Sequence, residues 1–281
     1  MSNTLSSSIL LDDLSEMVIT TLGNRLAPLN AFSKDFSTAG MAQNTSVQVK
    51  KFTTASAAQT NPTSFETGDT TGTNVNVLIK HYNKGFNLTS LELNSRYKLE
   101  QLAGINLQIL SNAVAAVAFA PITAANFAAG NVTIAQASFS ATNAKTLWAY
   151  AAKSMQRYLV LDSVAYSNLL PSDKNSFIPG TGAYGYDGIY LNTLTTGMGT
   201  NIYGFACGPE AIAVASGIPL IEDSVAAMLA GQRVVTIDGL GLSVQINTWG
   251  SLSTRSAWAS FDVMFGAALG DNTAAAHVKS A

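Results

Sequence analysis

One helical period dominates the chain. From Leu91 to Ala120 apolar residues recur at three- and four-residue spacings until Pro121 stops the run. A helix of that length is set between segments that alternate with a period of two, so helix and sheet are mixed in one chain. The mixture lacks a regular strand–helix–strand repeat, so the expected class is α+β. Leu99, Leu102, Ile105, Ile109, Ala113 and Val117 form the expected core stripe, while Leu107, Leu110 and Val114 lie off it, as though two sides were covered. Leu102 to Ile122 is also the most membrane-like stretch. Asn106, Gln108, Ser111 and Asn112 interrupt it, which favours a core helix over a span and a protein without a membrane partner.

The flanking segments divide by period. Asp12 and Asp13 precede a short helical pattern through Met17, Val18 and Leu22, placed to cap its positive end, with Gly23 placed to stop it. Val47 and Val49, then Val75, Val77 and Ile79, alternate with polar neighbours and predict a hairpin whose tip, 55–73, is polar. A tip of that length is expected to be mobile until it meets another subunit. A two-stranded hairpin is marginal alone, and no surface for it is evident nearby in sequence. Thr142 or Asn143 is placed to cap a helix carrying Leu147, Trp148, Ala151 and Met155 and ending near Arg157. Tyr158–Leu161 then reads as a strand, Asp162 or Ser163 as a cap, and Val164–Leu170 as a helix closed by Pro171. After an irregular Gly-rich passage, 172–200, strands are expected at Ile202–Phe205 and Ala211–Ala215. A closing meander follows: RVVTI, a two-residue turn at Asp238-Gly239, LSVQI, a turn at Trp249-Gly250, and SAWASFDVMFG.

Composition limits function. Charged residues make up 11% of the 281, hydrophobic ones 47%, and mean hydropathy is +0.21, so solubility rests on Ser, Thr, Asn and Gln or on a surface covered by other subunits. A net charge of −2 without a Lys/Arg cluster argues against affinity built on neutralising phosphates. The single Cys207 excludes an internal disulfide, and the N-terminus lacks the basic and apolar regions of a secretory signal.

Candidate chemistry is sparse. GTGAYG at 180–185 has the spacing of a dinucleotide-binding loop, but Pro179 precedes it and no helical pattern follows, which reads as a flexible loop. His81 and His277 read as an exposed strand residue and a tail residue without partners. Asp187, Asp238 and Asp262 read as turn or exposed-strand residues, and adjacent Glu222 and Asp223 as pointing apart on a helix. Cys207, within GFACG, reads as a buried, inert thiol. No catalytic, cofactor-binding or metal residue is assigned.

The order of parts carries a resemblance. LAPLNAFSKDFS at 26–37, RYLVLDSVAYSNLL at 157–170, NIYGFACGPEAIAVAS at 201–216 and SFDVMFGAAL at 260–269 resemble, in sequence and spacing, the major capsid proteins of tailed bacteriophages, podovirus-like coats in particular. The resemblance implies an N-terminal arm (1–40), an extended hairpin loop that overlaps a neighbouring subunit (41–87), and a peripheral domain with a spine helix (88–140). It further implies an axial domain (141–232) and return strands of the peripheral domain (233–281). A structural, non-enzymatic protein without cofactors is implied, made in the host cytoplasm and placed in the virion. Its partners would be many copies of itself in pentamers and hexamers, a separate scaffolding protein, a portal, and packaged DNA touched non-specifically at the inner face. An exported surface-layer protein, which needs an export signal, and a small hydrolase, which needs a nucleophile beside a base, are the alternatives.

Overall fold

The computed structural model describes residues 7–54, 70–89, 96–128, 130–151, 154–170, 184–193, 198–251 and 256–281. In chain order, helix α1 (Ser7–Arg25) leads through a 3-10 turn to β1 (Ser33–Met41), β2 (Ser46–Thr54), β3 (Thr70–Leu78) and β4 (Lys80–Thr89). The long helix α2 (Arg96–Phe119) follows, then β5 (Asn131–Thr133), α3 (Ala141–Tyr150), β6 (Tyr158–Leu161), α4 (Ser163–Leu169) and β7 (Gly188–Leu191). β8 (Ile202–Cys207), β9 (Ile212–Pro219), α5 (Asp223–Ala226), β10 (Gly231–Thr236), β11 (Ser243–Ser251), β12 (Ser256–Leu269) and β13 (Ala275–Lys279) complete the chain. The class is α+β, as expected.

The two long helices cover one face of a six-stranded sheet ordered β1-β9-β12-β11-β10, with β4 on the free side of β12. Leu14, Val18 and Leu22 on α1, and Leu26 just past its end, are buried at four-residue spacing. The helix begins before Asp12 and Asp13, which therefore do not cap it; Asp12 instead pairs with Arg233 on β10. Nor does Gly23 end it. A side chain there would press on Ile237, so the glycine serves close packing against the sheet. On α2 the buried residues include Leu99, Ala103, Leu107, Leu110, Val114 and Ala118, while Ile105 and Ile109 are 58% and 46% exposed. The expected stripe is thus rotated. Arg25 ties α1 to this orientation: its guanidinium donates to Ser111 Oγ at 2.8 Å and Asn112 Oδ1 at 2.9 Å. α2 is long and apolar enough to cross a membrane by length and composition, yet its buried face packs on α1, β4 and β12, as a core helix does.

The closing meander β10-β11-β12 is antiparallel as expected, but its turns differ. The link between β10 and β11 spans 237–242 because Leu240 and Leu242 drop into the core, and Gly239 and Gly241 absorb the reversal at φ +77° and +78°. Trp249-Gly250 is strand, not turn. Trp249 faces Trp258 across β11 and β12, their rings stacked 6.0 Å apart. β1, parallel to β9, and β4, antiparallel to β12, are strands that the sequence pattern does not announce.

The hairpin is present: β2 and β3 pair with Val47 opposite Val77 and Val49 opposite Val75. Its base does find a surface in its own chain, because Val77 and Ile79 are buried against Ala213, Ala215 and Met264 of the main sheet. Of the tip, 70–73 belong to β3, and 55–69 lie outside the described residues.

A second sheet, β5-β13-β8-β6-β7, carries α3 and α4. Ser140 and Asn143 form the capping box of α3, which ends at Tyr150, so Met155 lies beyond it and is fully exposed. Asp162 caps α4, accepting from the Ala165 amide at 3.0 Å. Alternation along β6 and β8 joins the layers. Val160, Phe205 and Cys207 face the first core, where Phe205 stacks on Phe32 at 5.9 Å, while Leu159, Leu161 and Ala206 face the second. Sheet membership does not follow chain segments: β9, within 141–232, belongs to the first sheet, and β13, within 233–281, to the second.

Candidate functional site

The sheet face opposite the helices carries the densest polar cluster among the described residues. Asp262 on β12 is 4% exposed and accepts from both flanking strands. Its Oδ1 lies 2.8 Å from His81 Nε2 and accepts from Asn83 on β4, and its Oδ2 accepts from Asn247 on β11 at 3.0 Å and Ser260 at 2.6 Å. Gln245 donates to Asn247 at 3.0 Å. The reading of Asp262 as an exposed-strand residue, and of His81 as partnerless, is therefore corrected. Alternation places 81 and 83, 245 and 247, and 260 and 262 on one face, and pairing of β4, β11 and β12 brings them together.

Serine, histidine and aspartate meet here, but not as a nucleophile relay. Ser260 spends its proton on Asp262 instead of on His81, so nothing in the arrangement would deprotonate the hydroxyl. The carboxylate has its lone pairs occupied by four donors, which makes it a tie between three strands.

The other candidates stay apart. His277 is 1% exposed within β13, not in a free tail, and burial holds its pKa below the ordinary imidazole value, opposed by the nearby Phe127 backbone and helped by Lys279. Cys207 is fully buried, and burial first, then Glu210, pushes its thiol up, so it is held as a neutral thiol. Asp187 accepts from the Arg157 amide at 2.7 Å, in a corner where Trp148 donates to the Gly185 carbonyl and the Arg157 guanidinium lies 3.9 Å over the Trp148 ring. Of GTGAYG only Tyr184 and Gly185 are described; the next element is the strand β7, where a dinucleotide loop requires a helix. Glu222 is the residue before α5 and Asp223 its first. Among the described residues no group of three or more His, Cys, Asp or Glu could hold a metal ion.

Beside the Asp262 cluster lies a cavity of about 590 Å3. Its floor is the polar sheet face with Trp249 and Met264, and its far wall is the segment 219–229 with Leu220, Ile221, Val225 and Met228.

No family model matches the sequence, and no curated protein matches it. Solved structures do. A virus-like particle from Pyrococcus furiosus aligns over 95% of this chain and 98% of that one, at 13% identity and a TM-score of 0.59. A structure from Mycobacterium phage Adephagia aligns over 90% and 89%, at 12% identity and 0.54, and one from Gordonia phage Cozz over 92% and 87%, at 15% identity and 0.51. The fold is the tailed-phage capsid-shell fold. α2 lies within 88–140, and the β2–β3 hairpin lies within 41–87, its base packed on the main sheet.

Proposed function

We propose that this chain is the major capsid protein of a tailed phage and assembles into the icosahedral head around double-stranded DNA. The observation that carries this reading is the extent of the likeness: the protein of a virus-like particle is matched over nearly its whole length. The interior supports a structural role. The buried thiol is inert, the Ser-His-Asp meeting at Asp262 is wired as a strand tie, and 11% charge suits a surface largely covered by neighbours.

In this reading the layer of β5, β13, β8, β6 and β7 with α3 and α4 is the axial domain, meeting its copies in pentamers and hexamers. The main sheet with α1 and α2 is the peripheral domain, and the hairpin reaches a neighbouring subunit. Subunits are made in the host cytoplasm, and a portal and a separate scaffolding protein complete the partners. Identical chains in slightly different environments close through weak apolar contacts, which direct curvature poorly, so an outside template sets the size. DNA touches the inner face without base-specific contacts. Expression with and without the scaffolding protein of the same genome tests this, followed by light scattering. Mixed particles that narrow to one diameter on co-expression are expected, and an absence of particles in both samples contradicts it.

A further inference from the structure

The cleft beside the Asp262 cluster is open on its apolar side. Leu220, Val225 and Met228, within nine residues of the wall segment, are 69%, 51% and 80% exposed. Single exposed apolar residues are ordinary, but three around the mouth of one cavity form a patch that water covers poorly. Met41, Met228 and Met264 line it with pliable thioethers suited to an inserted side chain. Of the residues that line it, Asp262 and His81 face each other and none is Lys or Arg, while Glu222 and Asp223 are exposed on the wall segment beside the lining residues Ile221 and Val225. Asp262 itself is fully occupied, so an incoming cation would be held by the field of the mouth, not by a new bond to that carboxylate.

We propose that this cleft is a contact between copies of the chain, filled by a segment of a second copy that presents an apolar side chain next to a basic one. The inference rests on the shell-forming reading. In such an assembly a surface of one copy meets a different surface of the next, so the cleft need not match itself. The acidic mouth then favours a basic neighbour and rejects an acidic one, which fixes orientation where apolar contact alone does not.

Sedimentation velocity over a concentration series of the full chain tests it. Leu220→Ser with Met228→Ser raises the concentration for half-assembly at least about tenfold, the effect of losing two apolar anchors. The melting temperature of the unassembled chain stays unchanged, because both side chains are exposed in it. Glu222→Lys with Asp223→Lys weakens assembly at low salt and reverses its salt dependence. A benzophenone attached through Met228→Cys, with Cys207 buried out of reach, cross-links to a second copy in assembled material. Wild-type assembly with both double variants indifferent overturns the contact alone, and so do cross-links confined to one chain or to a different protein. A wild-type chain that stays monomeric at every concentration overturns the contact together with the shell-forming reading.

Discussion

The two faces of the main sheet are made by the same strands and do different work. Toward the helices, Val244, Ile246, Phe261, Val263 and Phe265 alternate inward and are buried under α1 and α2. One residue over, Ser243, Gln245, Asn247, Ser260 and Asp262 face the other way, nearly as buried, yet they hydrogen-bond across strands and border an open cleft. The first face stabilises by apolar area removed from water, which fixes which residues point inward but tolerates a two-residue slip that keeps the same face buried. The second stabilises little net, but it works only in one register, because a slip would leave buried donors and acceptors without partners.

Substitutions on each face break this comparison in different ways. Phe261→Ala, on the helix side, is expected to cost about 3–5 kcal/mol in urea unfolding of the unassembled chain, through transfer and cavity terms together. Asp262→Ala, on the polar side, leaves the donors of Asn83, Asn247 and Ser260 without an acceptor and is expected to cost about 2–3 kcal/mol. Asp262→Asn should recover part of that loss. A cost for Asp262→Ala below a few tenths of a kcal/mol would mean that the cluster ties nothing.

His277 contributes a smaller and pH-dependent effect. Its folded pKa lies below the unfolded value, so its stabilising effect is complete above about pH 6.5 and is lost as pH falls toward the depressed folded pKa. The slope from one proton is at most about 1.4 kcal/mol per pH unit, and His277→Leu should flatten the denaturation midpoint across that window. An unchanged slope in that variant would move the effect to another group. The smallest effect is expected at Ile105: Ile105→Ser should change stability by no more than about 0.5 kcal/mol, whereas Leu107→Ala, two residues on, should cost about 2–5 kcal/mol. Equal costs would put the wrong face of α2 against the sheet.

That last pair marks where the sequence stops being legible. α2 was readable as a helix because thirty residues keep one period and Pro121 ends it, but two apolar stripes satisfy the same period. Which stripe is buried depends on partners distant in sequence: the apolar residues of α1, β4 and β12, and Arg25, 86 and 87 positions from the groups it bonds on α2. The meander was readable from alternation, and its turn at Asp238-Gly239 was misread because Leu240 and Leu242 look like strand flanks and are core contacts. β1 and β4 carry few large apolar residues, and β4 is a strand because it pairs with β12, some 180 positions away. The Asp262 cluster was hidden for the same reason. Alternation assigns Asp262 a face, and only the pairing of β4 with β12 tells that the face is buried.

Negative-stain electron microscopy of the purified full chain, concentrated without partners, tests the central claim most directly. Closed or partly closed curved shells of mixed diameter, built from a repeating subunit, are the predicted result. A chain that remains a dispersed monomer at every concentration, with its fold intact by circular dichroism, would contradict it.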